Sequence, residues 1–179
     1  GSDTDFSPEQ YYRLLARSER IGEDIDRATE ALELFAPGVD VGIVVDEWGA
    51  WHPEATFENG LEQANTVRDA VAAAGVLDDF HARADVVSMA NVAQTVNVLQ
   101  SLVQTDETEA WATPTYQVFD LYGQHMGATA LRTVVETDTR PVESRTDEFT
   151  TRDEHALSLV SASASERDDQ VYVTLSNRD

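Results

Sequence analysis

The chain has 179 residues, no cysteine and a formal net charge of −22, and all 12 of its basic residues are arginine. The missing thiols exclude disulfides and thiolate chemistry, and 12 cations scattered among 34 acids argue against a nucleic-acid partner, which needs cationic patches for phosphate. The acids lie in periodic, apolar-containing segments rather than in one block, so the composition describes a folded protein with a carboxylate-rich surface, as in a salt-loving organism, and not a disordered tail.

Carboxylates at that density repel one another at low ionic strength, and concentrated salt screens them within a few ångströms. The melting temperature is therefore expected to rise steeply between dilute buffer and molar potassium chloride. A flat or falling melting temperature would contradict this reading. No run of about 18 apolar residues occurs, so the sequence carries no transmembrane helix and no membrane partner is expected.

In chain order, Ser7 is a helix N-cap with Pro8 in the first turn and Gln10 three residues on. Leu14, Ser18, Ile21, Ile25, Ala28, Leu32 and Phe35 then recur at three- and four-residue steps, predicting one long helix with a buried face. Pro37-Gly38 ends it. The apolar run from Val41 predicts a strand over 40–46 that is buried on both faces, the pattern of a parallel sheet under helices.

Residues 49–60, rich in Gly, Pro and polar groups, read as a strand-to-helix loop. A helix is predicted over 61–77, a short strand over 85–90, a loop or single turn over 91–97, and a helix over 113–125 capped by Thr113 with Pro114 after it. This alternation is the signature of parallel α/β architecture and fits the last quarter of a (β/α)8 barrel.

After Gly127 the character changes. Residues 131–135, 157–160 and 171–175 are short and β-prone, Arg167-Asp168-Asp169 makes a turn between strands, and the polar 136–155 reads as a long loop. The predicted organisation is a barrel portion at 1–127 followed at 128–179 by the start of an all-β, jelly-roll-like sandwich. A complete barrel needs about 250 residues, so the chain reads as the C-terminal portion of a larger enzyme.

The chemistry concentrates where the first strand ends, at Asp46-Glu47-Trp48-Gly49-Ala50-Trp51. Catalytic groups of (β/α)8 barrels stand at the C-terminal ends of strands. A carboxylate walled by indoles suits a retaining glycosidase; salt bridges or a helix cap are the plainer roles for the same acids. The four histidines (His52, His81, His125 and His155) lack an i, i+4 pair or a second ligand at metal spacing, and Asp78-Asp79 with Asp85 lacks a calcium-loop pattern. No metal and no cofactor is assigned. His52 adjoins Trp51 and is a candidate to touch the pocket, and the other histidines read as surface or helix-end residues.

The hexapeptide 46–51 resembles the nucleophile motif of glycoside hydrolase family 51, the α-L-arabinofuranosidases. Asn65-Thr66-Val67-Arg68-Asp69-Ala70 is similar to the family's next helix. The block Met89-Ala90-Asn91-Val92-Ala93-Gln94-Thr95-Val96-Asn97-Val98-Leu99-Gln100 is similar to its final strand and turn, and Thr113-Pro114-Thr115-Tyr116-Gln117-Val118-Phe119 to its last barrel helix. The likeness covers most of residues 1–135.

The resemblance implies that Glu47 is the nucleophile and that Trp51 and Gln94 contact the sugar. Asp46 then has a structural role, Trp48 packs, and Asn91 and Asn97 shape a loop. It implies hydrolysis of terminal arabinofuranosyl units from arabinan or arabinoxylan oligosaccharides, a homo-oligomer, commonly a hexamer, and a cytoplasmic location. The family's general acid/base follows an asparagine on an earlier strand, and nothing here matches that segment; Glu54 and Glu58 lack its context. The alternatives are another retaining barrel glycosidase of endoglucanase-like type, or a non-catalytic polypeptide that binds sugar or assembles with a partner.

Overall fold

The computed structural model describes residues 1–144 and 153–179. Helix α1 (Pro8–Ser18) opens on the expected capping box: Ser7 Oγ accepts from the Gln10 amide at 3.2 Å, and Gln10 Oε1 accepts from the Ser7 amide at 2.8 Å. The single long helix of the periodicity is in fact two, because α1 stops at Ser18 and α2 spans Arg20–Phe35. Two causes meet at the break. Ser18 Oγ donates back to the Leu14 carbonyl, a bond that bends helices. The Glu19 carboxylate is held by His155 of the C-terminal strand over 153–158 at 2.6 Å and by Arg178, which follows the last strand.

Strand β1 (Ile43–Trp48) pairs in parallel with β2 (Val87–Val92), and α3 (Val67–Ala82) connects them in the predicted order. Ile43, Val45 and Trp48 pack with Ile25 of α2 and with Ala73, Val76 and Phe80 of α3. Burial on both faces is not observed. Val44 is 49 % exposed and Met89 on β2 is 55 % exposed, so only the helix-facing side of this pair is covered.

A hairpin absent from the sequence reading follows, β3 (Val103–Thr105) with β4 (Ala110–Ala112). Its turn is organised by Asp106, whose Oδ1 accepts from the amides of Thr108 and Glu109 at 2.7 and 2.9 Å. Helix α4 (Pro114–Tyr122) is capped by Thr113 as expected, and a 3-10 turn at Gly123–His125 ends it.

The C-terminal residues are strands: β5 (Thr129–Leu131), β6 (Thr139–Ser144), β7 (Asp153–Ser158), β8 (Val160–Arg167) and β9 (Gln170–Asn177). They form a three-stranded sheet in the order β5-β8-β9 and a β6-β7 pair. The turn at Arg167-Asp168-Asp169 is a two-residue hairpin with φ of 53° and 59° at the two aspartates, the left-handed geometry such turns require.

The long loop expected over 136–155 is replaced by β6 and β7 in so far as it lies within the described residues; 145–152 lie outside them. Apolar patterning does not mark these strands, because each buries few apolar groups. Val142 and Leu157 meet Tyr12 and Leu15 of α1, and the Arg140 guanidinium lies 4.0 Å from the Tyr12 ring centroid.

Where α3 and α4 meet the three-stranded sheet, the contact is polar. Tyr122 and Ser163 hydroxyls donate to Asp78 Oδ1 at 2.8 and 2.5 Å, and His125 bridges Ser165 and Thr174. His81 and His125 are helix-end residues, one of the two expected placements, but His125 is buried and its ring lies 4.8 Å from that of His81. Burial holds both imidazoles below their ordinary range.

Elsewhere on α3, burial pushes the Asp79 carboxyl up to about 7, with Glu19 adding to the shift and Arg83, 3.1 Å away, opposing it. Between 3.8 and about 7 the folded chain thus keeps a proton that the unfolded chain has released, and stability falls as pH rises through this window. Asp79→Asn retains the acceptor for Arg83 and cannot ionise. It is expected to stabilise the chain by on the order of 2 kcal/mol at pH 8 and little at pH 4, read by denaturant unfolding at both values. The two histidines tilt the profile the other way below about pH 6.5, so the difference between variant and parent is the quantity to follow.

Candidate functional site

The pairing of β1 with β2 slips between Val45 and Trp48. Strict two-residue alternation would send Glu47 into the helix layer with Ile43 and Val45. The irregularity puts Trp48 there instead, 6 % exposed and stacked 5.8 Å from Phe119, and leaves both Asp46 and Glu47 exposed at the end of the strand. Trp48 therefore packs, as expected. Glu47 lines a cavity of about 270 Å³ together with Arg20 and Asp24 of α2, Ala73 of α3, and Gln100.

Trp51 follows three residues beyond the strand and is 58 % exposed. Its indole Nε1 donates to the Ala55 carbonyl at 2.9 Å, and its ring meets Phe57 edge-to-face at 6.4 Å, so the exposed indole is held rather than free. Gln94 is exposed two residues past the end of β2. Trp48 and Val92 are register partners, which places Glu47, Trp51 and Gln94 at one end of the parallel pair. Asn97, with φ of 61°, bonds Thr105 through both the nitrogen and the oxygen of its side-chain amide and so braces the end of β3 rather than the site.

The segment between Glu47 and Trp51 is gripped by side chains that the sequence reading passed over. Gln100, 2 % exposed, accepts from the Ala50 amide at 2.7 Å and donates to the Asp69 carbonyl at 2.7 Å. Gln63, 5 % exposed, donates to the Ala50 carbonyl at 2.9 Å and accepts from the His52 amide at 2.8 Å. Gly49, at φ +141°, lies so close to Gln100 that an added Cβ would stand 3.3 Å from its Cβ.

His52 is fully enclosed behind this loop, with Nε2 2.7 Å from Asp69 Oδ1 and 3.0 Å from Arg68 Nη2. The same Asp69 caps α3 by accepting from the Thr66 amide at 2.8 Å. Burial draws Arg68 below its ordinary range while Asp69 opposes the shift, and its guanidinium covers the Phe6 ring at 3.8 Å. His52 is thus part of the loop's support and not of its exposed face. A buried glutamine within the apolar run 98–102 was the available signal for Gln100.

Among the described residues, no group of three or more His, Asp or Glu gathers as metal ligands, and no helix is long and apolar enough to cross a membrane.

Comparison with known proteins gives a consistent set. The family model described as the α-L-arabinofuranosidase C-terminal domain matches residues 46–179. An intracellular exo-α-L-arabinofuranosidase of Bacteroides ovatus is 35 % identical over 182 residues, covering 100 % of this chain and 34 % of that protein. The crystal structure of a family 51 arabinofuranosidase from Xanthomonas axonopodis pv. citri superposes with a TM-score of 0.85 at 35 % identity, over 100 % of this chain and 35 % of that one. An α-L-arabinofuranosidase from Thermotoga maritima, solved as an arabinose complex, gives 0.73 at 26 % identity over 89 % and 33 % of the two chains. The chain spans about a third of the length of these relatives.

Proposed function

Because the chain belongs to the α-L-arabinofuranosidase C-terminal domain family of glycoside hydrolase family 51, we propose that it supplies the nucleophile and part of the sugar pocket of a retaining α-L-arabinofuranosidase. The observation that carries the reading is Glu47 itself, an exposed carboxylate at the end of β1 beyond which Trp51 and Gln94 follow at the same end of the parallel pair.

In this reading the Glu47 carboxylate attacks the anomeric carbon of a terminal arabinofuranosyl unit. The glycosidic carbon–oxygen bond breaks, and the leaving oxygen takes a proton from a second carboxylic acid about 5–5.5 Å from the first. That acid, now a carboxylate, draws a proton from water. The resulting hydroxide displaces Glu47 and restores both groups. The second acid comes from polypeptide outside residues 1–179. Trp51, with Phe57 at its edge, offers a flat apolar surface to one face of the sugar, and the Gln94 amide both donates to and accepts from its hydroxyls.

Residues 1–127 then form the last part of a (β/α)8 barrel and 128–179 part of a jelly-roll-like sandwich, in a cytoplasmic homo-oligomer acting on arabinan- or arabinoxylan-derived oligosaccharides. Support for the location comes from a relative described as intracellular. The test is hydrolysis of nitrophenyl arabinofuranoside, glucoside and xyloside by the complete polypeptide. Selective turnover of the arabinofuranoside is expected, and preference for the glucoside would overturn the reading.

A further inference from the structure

Glu47 and Trp51 are exposed groups on a short stretch of chain that belongs to no helix beyond residue 48. Two such groups can serve one sugar ring only if the backbone between them is fixed. From Trp48 to His52 nearly every peptide group is. The Trp48 carbonyl accepts from the Ala93 amide at 2.8 Å, which ties this segment to the loop that carries Gln94. Gly49 is pressed against Gln100. The Ala50 amide and carbonyl are taken by Gln100 and Gln63 respectively, and the His52 amide by Gln63 again.

We propose that Gln100 and Gln63 are positioning residues, a pair of buried amides that grip the 49–52 backbone from two sides and set where Glu47 and Trp51 stand relative to a bound sugar. This rests on the arabinofuranosidase reading above for its catalytic consequence, but the grip itself does not.

A primary amide is the side chain suited to the task. It presents one acceptor and two donors in a fixed plane, without charge. At Gln100 the acceptor meets the Ala50 amide while Nε2 donates to the Asp69 carbonyl and, at 3.2 Å, to Thr115 Oγ1. The loop is thereby referenced to the start of α3 and the start of α4 at once. At Gln63 both ends of the amide return to the loop, and the Gln63 carbonyl accepts from Gln104 Nε2 at 2.8 Å, which anchors the clamp to β3. Both glutamines are almost wholly enclosed, so water cannot stand in for either of them.

Two substitutions separate positioning from simple stability. Gln100→Met conserves volume and removes all three hydrogen bonds. Gln100→Glu reproduces the bonds to Ala50 and Asp69 only when its carboxyl is protonated, since the hydroxyl can then donate to the Asp69 carbonyl while the other oxygen accepts from Ala50. Once ionised it sets a carboxylate against a carbonyl oxygen.

The measurements are kcat and KM for nitrophenyl arabinofuranoside in the complete polypeptide, at a temperature where each variant is folded by circular dichroism. They are joined by amide exchange at Ala50 and His52 and by the Trp51 indole Nε1–H resonance. For Gln100→Met, the Ala50 amide should exchange about tenfold faster and the Trp51 resonance should move. The same variant should lose about 10- to 100-fold in kcat with a smaller change in KM, the signature of reacting groups held out of line. Gln100→Glu should keep most of the parent kcat at pH 5 and lose it at pH 8, relative to the parent at each pH.

A folded Gln100→Met with parental kcat, unchanged exchange and an unmoved Trp51 resonance would overturn the proposal, as would a Gln100→Glu variant with a parental pH profile. If Gln100→Met does not fold, the Gln100→Glu profile decides alone. Faster exchange and a shifted indole in an enzyme that ignores Glu47→Ala would sink the arabinofuranosidase reading and leave the clamp standing.

Discussion

Glu47→Ala in the complete polypeptide is expected to lower kcat for nitrophenyl arabinofuranoside by about 10⁴-fold or more, the scale seen when a covalent nucleophile is removed. Adding azide should restore part of the turnover, because a small anion fits the space the carboxylate leaves and attacks the anomeric carbon in its place, giving an arabinosyl azide. Stability should barely change, since Glu47 is exposed and contributes nothing to the packed layer beneath it. Asp46→Asn, one residue earlier and also exposed, should retain far more activity. Equal losses from the two would contradict the assignment of Glu47.

Trp48→Ala should act in the opposite sense, on stability. Its indole is 6 % exposed, edge-on to Phe80 at 5.5 Å and stacked on Phe119 at 5.8 Å, with Ile25, Ala73 and Val76 around it. Truncation empties the joint between β1, α2, α3 and α4, at a cost of about 3–5 kcal/mol in denaturant unfolding. Trp51→Ala, three residues on and mostly exposed, should cost under about 1 kcal/mol while raising KM. Two tryptophans in one hexapeptide thus divide into a packing residue and a surface residue. Comparable destabilisation by both substitutions would contradict that division.

Much of this division was legible in the sequence because local signals dominate there. The capping boxes at Ser7, the cap at Thr113 and the adjacent aspartates of the 168–169 turn act over three or four residues and do not depend on distant packing. The order β1-α3-β2 followed from apolar periodicity for the same reason. What was not legible depended on partners far along the chain. The break at Glu19 needs His155 and Arg178, more than a hundred residues away. Strands β6 and β7 carry few apolar residues and exist by pairing with each other and leaning on α1.

The site divides likewise. Glu47, Trp51 and Gln94 are proposed as site residues on motif resemblance, whereas nothing local marks Gln63 as a buried residue or tells that His52 will be enclosed by Asp69 and Arg68. The slip that puts Trp48 rather than Glu47 in the packed cluster is also invisible in alternation alone.

The most direct measurement is to trap the glycosyl-enzyme. The complete polypeptide is incubated with an arabinofuranoside bearing a very good leaving group, quenched in acid within a turnover, digested and examined by peptide mass spectrometry. A retaining enzyme with Glu47 as nucleophile predicts one arabinofuranosyl unit esterified to the peptide that contains Glu47, absent from Glu47→Ala. An adduct on another carboxylate, or product of inverted configuration released without any adduct, would contradict it.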